Sequence, residues 1–102
     1  MNPAYKLLMS YDIRPELQQQ YYRYMLGEFV PSMQEAGLQM ASAWHVAFGN
    51  YPSRFVEFHC DNRETLKSII TGDNWRSAEA KLKSYTMQYN RKIVNYEERF
   101  QF

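Results

Sequence analysis

Residues 38–60, LQMASAWHVAFGNYPSRFVEFHC, decide the fold. From Leu38 to Phe48 the even positions carry Leu38, Met40, Trp44, Val46 and Phe48, with Ser42 as the exception, and the odd ones carry Gln39, Ala41, Ala43, His45 and Ala47. Successive side chains of a strand point to opposite faces, so this period of two marks a strand buried on one side. Gly49, Asn50, Tyr51 and Pro52 supply turn chemistry, and a run rich in β-formers returns from Arg54 to Cys60. The stretch is expected to form a hairpin in the interior of the sequence, with Trp44 in the core.

A helical pattern lies on each side of it. Residues 4–13 alternate, with Tyr5, Leu7, Met9, Tyr11 and Ile13 on one face, and read as a first strand that Arg14-Pro15 ends. Leu17, Tyr21, Met25 and Phe29 then recur every four residues beside Tyr24, the stripe of a helix that Gly37 can cap. Pro31 lacks a donor N–H and its ring strikes the carbonyl four residues back, so a kink or break is expected between Gly27 and Pro31. After the hairpin, Asp61-Asn62-Arg63-Glu64 offers a helix start, and Leu66, Ile69 and Ile70 an apolar face. Thr71-Gly72-Asp73-Asn74 interrupts that helix, and Asp73 or Asn74 can cap a second segment with Trp75, Ala78, Leu82 and Tyr85 on one side. Val94, Tyr96, Phe100 and Phe102 share one parity and predict a last strand reaching the C-terminus.

The order βαββαβ predicts an α+β fold of ferredoxin-like type, a four-stranded antiparallel sheet with both helices on one face, over a single domain spanning residues 1–102. The other face is bare and too rich in apolar and small residues for water, which points to a homodimer. A chain of 102 residues has only a thin core, so burial by self-association would help it.

Charge excludes one class of partner. Twelve basic and eleven acidic residues leave a formal net charge of +1 with no basic run, so no footprint for nucleic acid is present. No apolar run approaches the roughly 18 residues of a membrane span, and MNPAYKLLMSYD lacks the apolar core of a signal peptide, so a cytoplasmic protein is expected, with no membrane partner. Cys60 has no second cysteine to pair with and reads as a buried free thiol. Aromatic residues make up 17% of the chain, nine of them tyrosine, a side chain whose apolar body and polar tip suit pockets and interfaces as well as cores.

The first helix with Tyr21 to Pro31 and Gly37, the strand with Trp44 ending in Gly49-Asn50, and Trp75 in the second helix together resemble the dimeric α+β barrel proteins. Within them the NIPSNAP-like and antibiotic-biosynthesis-monooxygenase-like members are the most similar. The resemblance implies a homodimer whose sheets face each other, with a pocket in each subunit between sheet and helices. It also implies a choice of activities, among them cofactor-independent monooxygenases, cyclases, isomerases and haem-degrading enzymes. The haem-degrading members share the tryptophan matched by Trp75, but their iron-binding histidine ten residues on is Tyr85 here, and their first-strand asparagine finds only Leu7, Leu8, Met9 and Ser10. No cofactor is therefore expected.

Three residues could carry chemistry on the hairpin. With the turn centred near Tyr51-Pro52, His45 falls opposite residue 58 or a neighbour, and one choice of register sets His45, Glu57 and His59 on one face. Two imidazoles and a carboxylate could move a proton beside a carbonyl or hold a divalent metal; they also occur as ordinary solvated strand residues. His45 lies among Ala41, Ala43 and Ala47, so it either borders space for a ligand or lets a partner's sheet approach closely. Trp75, Asn74 and Tyr85, joined by Tyr11, are the expected wall of a pocket for a flat aromatic or polyketide-like molecule, in the manner of the cofactor-free oxygenases the fold resembles. Tyr21 and Tyr24 could add to that wall, or simply pack the helix on the sheet. The function expected is binding or transformation of such a molecule; the alternative is a non-catalytic homodimer that binds a ligand or a protein partner.

Overall fold

The computed structural model describes residues 5–48 and 51–95. Strand β1 (Tyr5–Ile13) leads through a 3-10 turn (Pro15–Leu17) into helix α1 (Gln18–Tyr24), a π-helical turn (Met25–Phe29) and α2 (Val30–Ala36). The hairpin strands β2 (Gln39–Phe48) and β3 (Tyr51–Cys60) follow, then α3 (Arg63–Ile70), α4 (Asp73–Ser84) and β4 (Thr86–Asn95). The strands lie in the order β2-β3-β1-β4 and every neighbouring pair is antiparallel, which is the ferredoxin-like arrangement. The core sits between one sheet face, carrying Leu7, Met9, Val56 and Phe58, and the inward side chains of the helices, led by Phe29 and Leu82. No helix among the described residues is long and apolar enough to cross a membrane.

The discord at Pro31 is resolved without a break. The Val30 N–H donates to the Met25 carbonyl, five residues back, and the widened turn passes into α2, which carries Pro31 near its start and runs on to Ala36. Gly37 ends it at φ 120°, with its own N–H on Gln34 and Met33 and the Leu38 N–H on Met33, a Schellman closure. The expected caps of the later helices shift by a residue. Asn62, not Asp61, caps α3, its side-chain oxygen accepting from the Thr65 N–H at 2.8 Å, and α4 begins behind Gly72 rather than under a side-chain cap.

Both edge strands carry an irregularity that resets their parity. The pairing of β2 with β3 shifts between Met40 and Ser42, so Met40 and Ala43, three apart, share the inward face, and Trp44 turns to the open face of the sheet. There it stacks on Phe55 at 5.6 Å and remains 44% exposed, which corrects the expectation of a core indole. In β4 the shift falls opposite Ser10 and Asp12, where Gln88 takes φ 55°. That strand starts at Thr86, earlier than the alternation from Ile93 suggests; Tyr96, Phe100 and Phe102 lie outside the described residues. Bulges of this kind gather at sheet edges, where no second neighbour holds the register.

Candidate functional site

The hairpin register separates the histidines. Phe48 pairs with Tyr51, so Tyr51 and Pro52 belong to β3 and His45 stands opposite Arg54, on the helix-side face and exposed. Glu57 and His59 take the opposite parity and lie on the open face. The expected cluster of three is therefore a cluster of two, joined by a residue from another strand: His59 Nε2 lies 2.7 Å from Glu57 Oε2, and Lys6 Nζ, from β1, 3.4 Å from Glu57 Oε1. All three side chains are largely shielded even in the single chain. A carboxylate that holds an imidazole fixes its orientation, the geometry of an acid/base pair. Among the described residues no three His, Cys, Asp or Glu side chains come together as a metal site.

On the helix side the tyrosines form an interior network. The Tyr11 and Tyr21 hydroxyls are 2.6 Å apart, and Tyr11 stacks on Tyr89 at 6.1 Å with the rings 9° from parallel. Tyr89 donates to Glu79 Oε2 at 2.7 Å, and Arg91 Nε reaches the same oxygen at 3.0 Å. Burial pushes the Tyr11 and Tyr89 phenols well above their usual range, raises Tyr21 and brings Tyr24 up to about 12, so all four are neutral donors near neutral pH. Tyr11 is thus a packed member of the interior, and Tyr85 lies against Tyr24 at 5.6 Å, tilted and half-buried.

Trp75 and Asn74 find a different setting. They line a furrow of about 850 Å³ on the outer side of the helices, between the π turn with α2 and the α3–α4 pair. Tyr24, Phe29, Met33 and Trp75 form its floor, and Glu28, Asn74 and Lys81 stand among its more exposed walls. The indole is only 2% exposed, meets Phe29 edge-on at 5.8 Å, and has Arg91 over its face; its Nε1–H is buried without an acceptor. Lys81 lies over the Tyr24 ring at 5.0 Å and pairs with Glu28 at 3.5 Å. Of the four residues expected to bind a ligand, two line this furrow, and it opens between helices rather than between sheet and helices. Lys6, Glu79 and Arg91 were not singled out by the sequence, because partners on other strands and helices give them their roles.

These features define an α+β protein of ferredoxin-like topology with an open sheet face and a furrowed helix layer. No protein-family model matches the chain, and no curated protein matches it in sequence. Solved structures do. An uncharacterized NIPSNAP domain protein from Burkholderia xenovorans superposes with a TM-score of 0.65 at 10% identity, covering 88% of this chain and 91% of that one. A NIPSNAP family protein of unknown function from Agrobacterium tumefaciens gives 0.65 at 10% identity, with 91% and 87% covered. An antibiotic biosynthesis monooxygenase gives 0.61 at 15% identity, with 88% and 93% covered. The fold is therefore the one shared by NIPSNAP and antibiotic-biosynthesis-monooxygenase proteins. At such identities the likeness concerns the fold, not the activity.

Proposed function

We propose that this protein is a homodimer that binds a small aromatic or polyketide-like molecule in the furrow between its helices, without a bound cofactor. The observation that carries this reading is the floor of Tyr24, Phe29 and Trp75 with the Asn74 amide at its rim, which pairs apolar faces for a flat ring with a group able to donate to and accept from a substituent. Binding is favoured over turnover at that place because the furrow contains neither histidine and the Tyr24 phenol in its floor is held neutral by burial. A second reading, proton transfer in a monooxygenase-, cyclase- or isomerase-type reaction, rests on the Glu57–His59 pair at 2.7 Å. That pair would be enclosed if two sheets met face to face. A lone buried thiol, Cys60, suits a reducing compartment such as the cytoplasm.

Titration calorimetry with 2-naphthol, a flat phenol, tests the furrow. Ser77→Trp fills it from the exposed face of α4 and Asn74→Ala removes the amide; the first should abolish binding and the second weaken it about tenfold, the worth of a hydrogen bond of about 1.4 kcal/mol. Unchanged affinity in both variants would sink the furrow as the site. If His59→Ala alone lost binding, the ligand would lie on the open sheet face.

A further inference from the structure

On β3 the inward parity reads Arg54, Val56, Phe58, Cys60, so a guanidinium occupies the first place in a row of buried apolar side chains. A charge on the apolar parity of a strand is the one sequence signal that marks this residue. Its neighbours across the sheet are His45 on β2 and Tyr11 on β1, and its guanidinium carbon lies 5.6 Å from the centre of the Tyr22 ring. Arg54 Nε is closed off from solvent and meets no acceptor. Among the described residues no carboxylate comes within ion-pairing distance of it. The carboxylates nearest along the neighbouring strand positions, Asp12 and Glu57, sit on the opposite face, engaged by Ser53 and by Lys6 and His59.

A buried donor in a native protein is completed by a protein group, a water, an ion or a ligand, and a partly buried cation without a counter-ion is costly. The neighbouring side chains favour an anion here. His45 is exposed beside Arg54 and can donate from its ring. The Tyr22 ring supports one side of the guanidinium, leaving its fork of N–H groups to set the geometry of what it binds. In the Tyr11–Tyr21 pair one hydroxyl donates to the other, so one phenolic hydrogen of the two remains available at the inner wall. The Tyr21 hydroxyl oxygen faces the Arg54 guanidinium as an acceptor, and the Nε–H is the donor left unmatched. Planar, two-oxygen anions match a guanidinium fork better than a single water does.

We propose that Arg54 and His45 form a binding site for the carboxylate of a small organic acid on the helix-side face of the hairpin. The site is separate from the furrow, none of whose lining residues it shares, so either can fail without the other. The test is a titration of the full-length protein with benzoate, and in parallel with benzamide, followed by NMR through the His45 ring and the Arg54 side chain. Benzoate should shift both signals saturably and benzamide at least tenfold more weakly, because the neutral amide offers the guanidinium no charge. Arg54→Gln should weaken benzoate at least tenfold while retaining the melting temperature of the parent to within a few degrees. Should Arg54→Gln not fold, His45→Ala, at an exposed position, and Tyr22→Leu decide instead, each expected to weaken benzoate at least threefold. Equal affinity for benzoate and benzamide, shifts that do not saturate, or variants that bind as the parent does would overturn the site.

Discussion

Trp75 and Trp44 are the same side chain in opposite settings. Trp75 is enclosed by Phe29, Arg91 and the helix layer, whereas Trp44 lies flat on Phe55 at the open face of the sheet. Replacing a core indole with alanine typically costs about 3–5 kcal/mol. Trp75→Ala is expected to lose that much in urea unfolding, while Trp44→Ala gives up only the worth of a stacked pair, about 1 kcal/mol, in the single chain. The opposite ranking in chains diluted to monomers would contradict the burial of Trp75. The tyrosines make a prediction about alkali. Their folded-state pKa values are raised above the unfolded value of 10.0, through burial first and, for Tyr89, its hydrogen bond to Glu79 next. A raised pKa stabilises the fold below the unfolded pKa, because the folded chain retains protons that the unfolded one has begun to release. Stability from this source should hold below pH 10.0 and decline as pH rises through Tyr24's folded value of about 12 and beyond. Tyrosinate absorbance checks it: Tyr11, Tyr21, Tyr24 and Tyr89 should ionise only as the far-ultraviolet signal collapses. Free titration of all nine near pH 10.0 in a folded chain would contradict the interior network.

At the scale of elements, the turn between α2 and β2 depends on one residue. Gly37 has φ 120°, and a Cβ there would come within 3.3 Å of Thr65 Cγ2 on α3. Gly37→Ala therefore meets both backbone strain and a close contact, with an expected loss of about 1–2 kcal/mol. Thermal melting measures it, and Gly27→Ala serves as the contrast, since nothing lies within 4 Å of a Cβ there. Gly27→Ala should be neutral or slightly stabilising. The helices were legible in the sequence because their apolar stripes fall on consecutive turns: Tyr21, Met25 and Phe29 are buried, as are Leu66, Trp75 and Leu82. The edge strands were legible only in part. Ser42 broke the alternation of β2, yet an interruption in a pattern does not say whether one side chain is polar or the whole strand has changed face. The pairing with β3 answers that, and it moves Trp44 and His45 together.

For the whole molecule, the open face carries Trp44 and Phe55 at one level and the Lys6–Glu57–His59 cluster at another, with Leu8 in the row between strands. Two copies meeting through this face would cover the stacked pair and enclose the ion cluster. A sheet-to-sheet pair is expected to bury on the order of 2,000 Å². Light scattering should return twice the mass of the chain, and Trp44→Glu, which places a charge on the stacked aromatic patch, should return the single chain with its circular dichroism intact. A monomeric parent at micromolar concentration would refute the pairing.

What the sequence determined by itself was the order of elements, βαββαβ, and with it the ferredoxin-like sheet, because period and turn chemistry are local and connection rules leave few ways to assemble them. Tyr11, Trp75 and Asn74 could be placed on their elements, but not beside their neighbours. Tertiary structure decided the rest: that Glu57 and His59 share a face with Lys6 and not with His45, that Tyr11 meets Tyr21 and Tyr89, and that Arg54 lies between His45 and Tyr11 with no carboxylate among the described residues to answer it. The physical reason is register. A strand alternates with a period of two, so one added residue at an edge bulge exchanges the two faces, and the pairing that places it is a contact between residues far apart in the chain.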